Sequence, residues 1–237
     1  LLTEKFKLDK DKLWVTVHVD DKESEDIWLK KIKFPAERLS RLAEDNFWSM
    51  GDTGPCGPCS EIFYDHGEDL PGEAPQDGVD TGERFVEIYN LVFMQYNRDH
   101  NGKLTNLPKQ CVDTGMGLER ITAVLQKTSD NYKTDIFNNI IESISETLNE
   151  KNLLNPSLRV IADHLRSSVF LISDGVNPSN EGRGYVLRRI IRRALTHAYK
   201  INNEKDFSFS DIFDTLGESL LETYPDVKKN KTAILEE

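Results

Sequence analysis

Leu13, Val15, Val17 and Val19 alternate with Trp14, Thr16 and His18, the two-residue period of a strand with one buried face. Ser24 to Lys33 then predicts a short helix, and Phe85 to Asn97, rich in β-formers, predicts a long strand. Leu118 to Gln126 predicts a helix entered directly from the glycine turn at Gly115 and Gly117. From about Asn131 the apolar period lengthens to that of helices. Ile136, Ile140, Ile141, Ile144 and Leu148 form one stripe; Val160, Ile161, Leu165 and Val169 a second; Leu187, Ile190, Ile191, Ala194 and Leu195 a third; Ile212, Phe213, Leu216 and Leu220 a fourth. The expected architecture is α+β: a sheet-based domain over residues 1–130, followed by an all-α helical domain over 131–237. No fixed repeat, low-complexity tract or heptad series interrupts it.

Glycines and prolines crowd the stretch between Gly51 and Gly82, where only Glu61 to Tyr64 reads as strand. So long a loop is uncommon unless it is functional.

Composition narrows the function classes. The 237 residues are 38% hydrophobic and contain no apolar run of about 18, so no membrane-spanning segment is expected. The start, Leu1 to Lys5, has neither an initiator Met nor a basic-then-apolar leader, which predicts a cut within a larger protein. Three cysteines argue against a disulfide framework and for a reducing, cytoplasmic setting. The net charge of −11 disfavours nucleic-acid binding on average. Arg183 to Lys200, however, holds five Arg and one Lys with no Asp or Glu. Such a local basic stripe can still meet phosphate.

Three segments carry candidate chemistry. Asp113-Thr114-Gly115-Met116-Gly117-Leu118-Glu119-Arg120 ends a strand, turns on glycines and opens a helix with an Arg in its first turn. Glycines let backbone approach a flat ligand, and a guanidinium held there can fork a phosphate. By itself the octad equally fits a plain strand-to-helix turn. Cys56-Gly57-Pro58-Cys59 has the spacing of half a zinc site or a redox pair, but no second Cys/His pair completes it, leaving a rigid loop as the better reading. The glycine-rich stretch also lacks the Gly-Lys-Ser/Thr ending of a P-loop. The doublets Arg188-Arg189 and Arg192-Arg193 lie one helical turn apart and form a basic ridge, either a solvated face or a phosphate contact.

The octad resembles motif 3 of class II aminoacyl-tRNA synthetases in its alanyl form. Trp48 to Asp65, with its Gly51-Asp52-Thr53-Gly54-Pro55-Cys56-Gly57-Pro58-Cys59 core, resembles a signature of the alanyl-tRNA synthetases. So do Glu87 to Gln95, Arg159 to Arg166 and Pro178 to Arg189. The resemblance covers nearly the whole chain, in order. It implies the class II antiparallel sheet, ATP and Mg²⁺ as cofactors, formation of alanyl-adenylate, and transfer of alanine to its tRNA. Enzymes of this kind work mainly by alignment and charge stabilisation.

By this resemblance Arg120 would hold the γ-phosphate of ATP, Gly115 and Gly117 would make room for adenosine, and Asp113 would pair with the alanine ammonium. Trp48, Asn90, Val92 and Gly115 would line a pocket sized for a methyl group. Independently of the family, Asn90 and Val92 are two apart and so share a strand face. Glu87 is the candidate Mg²⁺ ligand, with a merely solvent-facing Glu as the alternative. No zinc is expected in this chain; the resemblance puts Zn²⁺ in an editing domain elsewhere. Asn180 would approach the G·U pair that marks the tRNA acceptor stem, with Arg183, Arg188, Arg189, Arg192 and Arg193 on phosphates. Asp163, His164 and Arg166 read as helix-packing residues.

Motifs 1 and 2 of the family, the acidic partner of Asn180 and the oligomerisation region are not visible. Ala233 to Glu237 reads as the start of a further helix. The resemblance therefore predicts a fragment inactive alone, from a parent that forms homo-oligomers through other regions. Two other readings compete: an RNA-binding module without chemistry, and a ligase that adenylates another small carboxylate. The full set of Trp48, Asn90, Val92, Asp113 and Arg120 weighs against the first, and the Asn180 segment against the second.

Overall fold

The alternation over residues 13–18 produces β1, Leu13–His18, which buries Leu13, Val15 and Val17. Thr16, of opposite parity, is buried as well, so the strand is covered on both faces. The structure, a computed structural model, describes residues 1–203 and 224–236. The fourth apolar stripe, Ile212, Phe213, Leu216 and Leu220, lies outside the described residues. The chain divides into two compact units, Leu1–Asn131 and Tyr132–Glu237.

In the first unit, Asp21 caps α1, Lys22–Asp26, by accepting from the Ser24 N–H at 3.0 Å. The helix continues as a π-helical turn, Ile27–Ile32, and stops at Lys33 in the left-handed region. This crossover returns the chain to β2, Leu39–Leu42, parallel to β1. Every other pairing is antiparallel: β3, Phe47–Ser49, and β1 both join β4, Gly54–Asp65, which pairs with β5, Phe85–Arg98, which pairs with β6, Leu104–Gly115. The path through the sheet is β2-β1-β4-β5-β6, with β3 as a side branch on β4.

The glycine- and proline-rich stretch expected to be loop from Gly51 is therefore a strand over its first part. Pro58 falls with Gly57 where the β4–β5 register shifts between Cys56 and Cys59, so its missing N–H breaks no regular ladder bond to β5, while Pro55 sits near the start of the strand, opposite Asn97. Gly57 is needed for another reason. A Cβ there would come within 2.1 Å of the Phe93 carbonyl oxygen. Beyond Gly51 to Thr53, only His66 to Arg84 remains irregular, and Arg84 closes it by gripping the Asp65 carboxylate through two hydrogen bonds, 2.8 and 3.0 Å.

One side of the sheet packs on an apolar core of Leu2, Leu13, Val15, Val17, Leu39, Ile62, Ile88, Ile121 and Val124. Full burial of one such side chain is worth about 1.5–3 kcal/mol. Trp28 pins the crossover to this side by donating from Nε1 to Ser60 Oγ at 2.9 Å, and that hydroxyl donates in turn to the Thr16 carbonyl at 2.8 Å. α2, Leu118–Leu125, follows β6 and buries Ile121, Ala123 and Val124.

In the second unit α3, Asp135–Leu148, buries Phe137, Ile140, Ile141, Ile144 and Leu148, and Asn149 in the left-handed region ends it. α4, Pro156–Ser173, starts with Asn155 accepting from the Ser157 N–H and with Pro156 at its first position, where no N–H is needed. Its buried side holds Leu158, Ile161, Ala162, Leu165, Val169 and Ile172, while Val160, read as a stripe member, is half-buried. α5, Gly182–Ile201, presents a narrow buried side of Gly184, Leu187, Ala194 and Ala198. Leu195 was expected in that stripe but is 40% exposed, because small residues bring α5 close to α4 along a strip too narrow to include it. Two short helices, Pro225–Lys229 and Lys231–Glu236, complete the described residues; the second covers most of the helix expected to begin near Ala233. No helix among the described residues is long and apolar enough to cross a membrane.

Candidate functional site

In the first unit the ladders arrange the sequence-nominated residues in rows. Val92 on β5 lies opposite Cys59 on β4 and Asp113 on β6; two residues along, Asn90 lies opposite Glu61 and Gly115. Directly opposed residues share a face, so Asn90 and Val92 lie together as their parity predicts, with Asp113 and Gly115 beside them on β6 and Cys59 and Glu61 beside them on β4. Trp48 on β3 pairs with Gly57, further along β4.

Glu87 reaches this group through a bulge. Ile62 pairs with Tyr89 and Phe63 with Glu87, leaving Ile88 as the inserted residue. Simple alternation would put Glu87 and Asn90 on opposite faces; the extra residue resets it. Arg120, in the first turn of α2, donates from Nη1 to both the Glu87 carboxylate at 2.9 Å and the Glu87 carbonyl at 3.0 Å. Glu87 is thus an ion-paired residue, not a merely solvent-facing one. Gly117 precedes α2 as its N-terminal cap.

Glu61 is the residue that sequence reasoning missed. Burial, reinforced by the Glu87 and Asp45 carboxylates, pushes its carboxyl up to about 7, although Arg120 and the Cys59 thiol pull the other way. Asn90 Nδ2 donates to Glu61 Oε1 at 3.1 Å, while the buried Asn90 Oδ1 has no hydrogen-bond partner. Buried Asn46 shows the same asymmetry, its Nδ2 lying 3.7 Å from Cys59 Sγ and its Oδ1 unpartnered. Glu61 was readable as strand, but its place beside Asn90 follows only from the β4–β5 register.

Cys56 and Cys59 are buried free thiols on β4, and Cys111 is exposed. Burial pushes Cys59 up to about 11, leaving it protonated and poorly nucleophilic, which argues against a redox pair. Among the described residues no group of three or more His, Cys, Asp or Glu is placed to hold a metal ion.

In the second unit α5 lines a groove of about 700 Å³ with Arg188, Arg189, Arg192, Arg193, Thr196 and Lys200, with α4 contributing His164. His197 also lines it and approaches Ser157 Oγ at 2.9 Å. The four ridge arginines therefore share one concave surface. Arg183 is not among its lining residues. Asn180, in the loop before α5, accepts from Arg188 Nη1 at 2.6 Å. That loop is packed tightly: a Cβ on Gly184 would come within 2.3 Å of the Asn177 carbonyl oxygen. Arg166 stacks over Phe137 and Phe170, a packing role. His164 Nδ1 lies 2.8 Å from Asp163 Oδ2.

A mostly antiparallel sheet whose last strand turns on glycines into a helix, with Arg120 of that helix bonded to Glu87, fits the fold of a class II aminoacyl-tRNA synthetase. A family model described as tRNA synthetases class II (A) matches residues 1–237, and the chain belongs to that family. It is 56% identical over 234 residues to the alanine–tRNA ligase of Hydrogenovibrio crunogenus, covering 98% of this chain and 27% of that protein. It is 54% identical over 234 residues to the alanine–tRNA ligase of Idiomarina loihiensis, with the same coverage. The alanine–tRNA ligase of Burkholderia mallei is 54% identical over 237 residues, 97% of this chain and 27% of that protein. The chain thus spans about a quarter of the length of these curated relatives.

Proposed function

We propose that the protein containing this chain is a cytoplasmic alanine–tRNA ligase: it activates alanine with ATP to alanyl-adenylate and transfers the alanyl group to the 3′ end of its tRNA. The observation that carries this reading is the pair of rows Cys59–Val92–Asp113 and Glu61–Asn90–Gly115. They set an acid and an unpartnered amide oxygen beside a small apolar side chain, which suits an ammonium next to a methyl group. Similarity to three ligases named for alanine supports the same substrate.

In this reading Asp113 and Asn90 Oδ1 bind the ammonium, and Val92 and Trp48 bound the methyl pocket. Gly115 and Gly117 admit adenosine. Arg120 takes the γ-phosphate, exchanging its hydrogen bonds to Glu87 for stronger ones to phosphate oxygens. Alignment of the alanine carboxylate with the α-phosphate then supplies most of the acceleration. Glu87 would hold Mg²⁺ as a single carboxylate ligand, since Mg²⁺ at phosphate sites needs only one or two carboxylates from the protein. The metal, when bound, would neutralise phosphate charge.

The domain assignment, 1–130 catalytic and 131–237 for the acceptor stem, belongs to the same proposal. Arg188, Arg189, Arg192 and Arg193 would meet acceptor-stem phosphates from the α5 groove, and Arg183 would act from the first turn of the helix. Asn180, held by Arg188, would reach base edges in the shallow groove of A-form RNA.

ATP–pyrophosphate exchange by the full-length parent protein tests the reading, run with alanine, serine, glycine and no amino acid. Alanine is expected to be fastest, with the near-isosteres suppressed by only about 10- to 200-fold. A folded parent that exchanges with none of them would contradict it.

A further inference from the structure

We propose that Glu61 is a positioning residue of the amino-acid subsite: it fixes the orientation of the Asn90 amide so that Oδ1, not Nδ2, faces the substrate's ammonium. The inference rests on the reading of Asn90 as an amino-acid contact.

An amide presents an acceptor at one end and a donor at the other, and only the acceptor end can meet an ammonium, which carries donors alone. Nothing in the backbone of β5 determines which end points where. The hydrogen bond from Asn90 Nδ2 to Glu61 Oε1, 3.1 Å, does so, because Glu61 sits directly across the β4–β5 ladder. The reverse orientation would set the Asn90 oxygen against a Glu61 oxygen that carries no proton. Oδ1 is left buried and unpartnered. Buried acceptors almost always have a donor, and here the donor is the ligand's.

Glu61 is itself held in place. The adjacent register of β4 is anchored where the Cys59 N–H donates to the Asn46 carbonyl at 2.8 Å. The charged or titratable groups facing Glu61 are Asp45, Cys59, Glu87 and Arg120. The role survives loss of the charge provided that Oε1 is the carbonyl oxygen of the protonated carboxyl, which still accepts from Nδ2.

The role separates from a charge effect in three variants of the full-length protein, assayed by ATP–pyrophosphate exchange at saturating ATP. Glu61→Gln keeps the reach and the acceptor but loses the charge; its KM for alanine should stay within about threefold of the unaltered protein. Glu61→Asp keeps the charge but withdraws the oxygen by one methylene, and Glu61→Ala removes it. In both, KM for alanine should rise about tenfold, the effect of losing one oriented hydrogen bond to a charged group, while kcat and KM for ATP change by less than about threefold.

The Glu61→Ala/Asn90→Ala double variant should be no worse than Asn90→Ala alone, since Glu61 acts through Asn90. If Glu61→Ala fails to fold, the Asp and Gln variants still decide. A normal KM in Glu61→Asp, or a loss in Glu61→Gln equal to that in Glu61→Asp, overturns the proposal. Absence of exchange in the unaltered protein would be a different failure, that of the alanine-activation reading itself.

Discussion

Arg120 Nη1 holds both the carboxylate and the main-chain carbonyl of Glu87, joining the first turn of α2 to the bulge in β5. The Arg120 side chain is 47% exposed, so a phosphate can reach it without unfolding anything. In the full-length protein Arg120→Ala should lower alanine-dependent exchange by about 10²- to 10³-fold, the scale of losing a preorganised charge-stabilising donor. Arg120→Lys should be nearly as poor, because an ammonium cannot reproduce the planar fork. Steady-state exchange kinetics against ATP check this; an unimpaired lysine variant would refute the clamp role.

Gly57 lies against the Phe93 carbonyl oxygen, and both are backbone, so neither can swing aside. Gly57→Ala should destabilise the first unit by about 1–3 kcal/mol or more, the range for overpacking a close-packed site. Urea denaturation followed by tryptophan fluorescence should show the midpoint falling. No change would mean that β4 and β5 do not approach as described.

The second unit offers a matched pair of truncations. Ile144 is fully buried in its core, whereas Leu195 is 40% exposed. Ile144→Ala should cost about 2–5 kcal/mol, and Leu195→Ala less than about 0.5 kcal/mol. Equal effects would restore Leu195 to the buried stripe that its spacing suggests.

Glu61 gives a pH dependence with a defined sign. Its carboxyl is raised from an ordinary 4.5 to about 7, so the folded chain holds that proton more tightly than the unfolded chain does. Its contribution to stability is therefore fully present below about pH 4.5 and is lost as pH rises through about 7. Glu61→Gln cannot ionise. Relative to the unaltered chain, its melting temperature should be higher at pH 8 than at pH 5. A difference independent of pH would show that Glu61 ionises as an ordinary surface acid.

Much of the fold was legible in local periodicity. α3 and most of α4 follow directly from their apolar spacing, and β1 and β5 from alternation and β-former content. β4 was legible only over Glu61 to Tyr64, because glycine and proline before it signal loop unless a neighbouring strand supplies the close approach and the register shift that Gly57 and Pro58 fit. The shared face of Asn90 and Val92 was readable from parity. The place of Glu87 was not, since the Ile88 bulge that sets it is visible only once Ile62 and Phe63 are paired with β5. Glu61 lay within the readable part of its strand, but nothing in the sequence placed it opposite Asn90 before the β4–β5 register was known. The arginine ridge was readable along α5, but His164 joins its groove only through the packing of α4 on α5.

The proposed binding and activation of alanine on the Asp113–Asn90 face can be checked by alanine-dependent ATP–pyrophosphate exchange in the full-length protein, comparing the unaltered protein with Asp113→Ala. Rapid exchange that falls at least about 100-fold in the variant, with fold and melting temperature preserved, is the predicted result. Exchange that survives the substitution unchanged would contradict it.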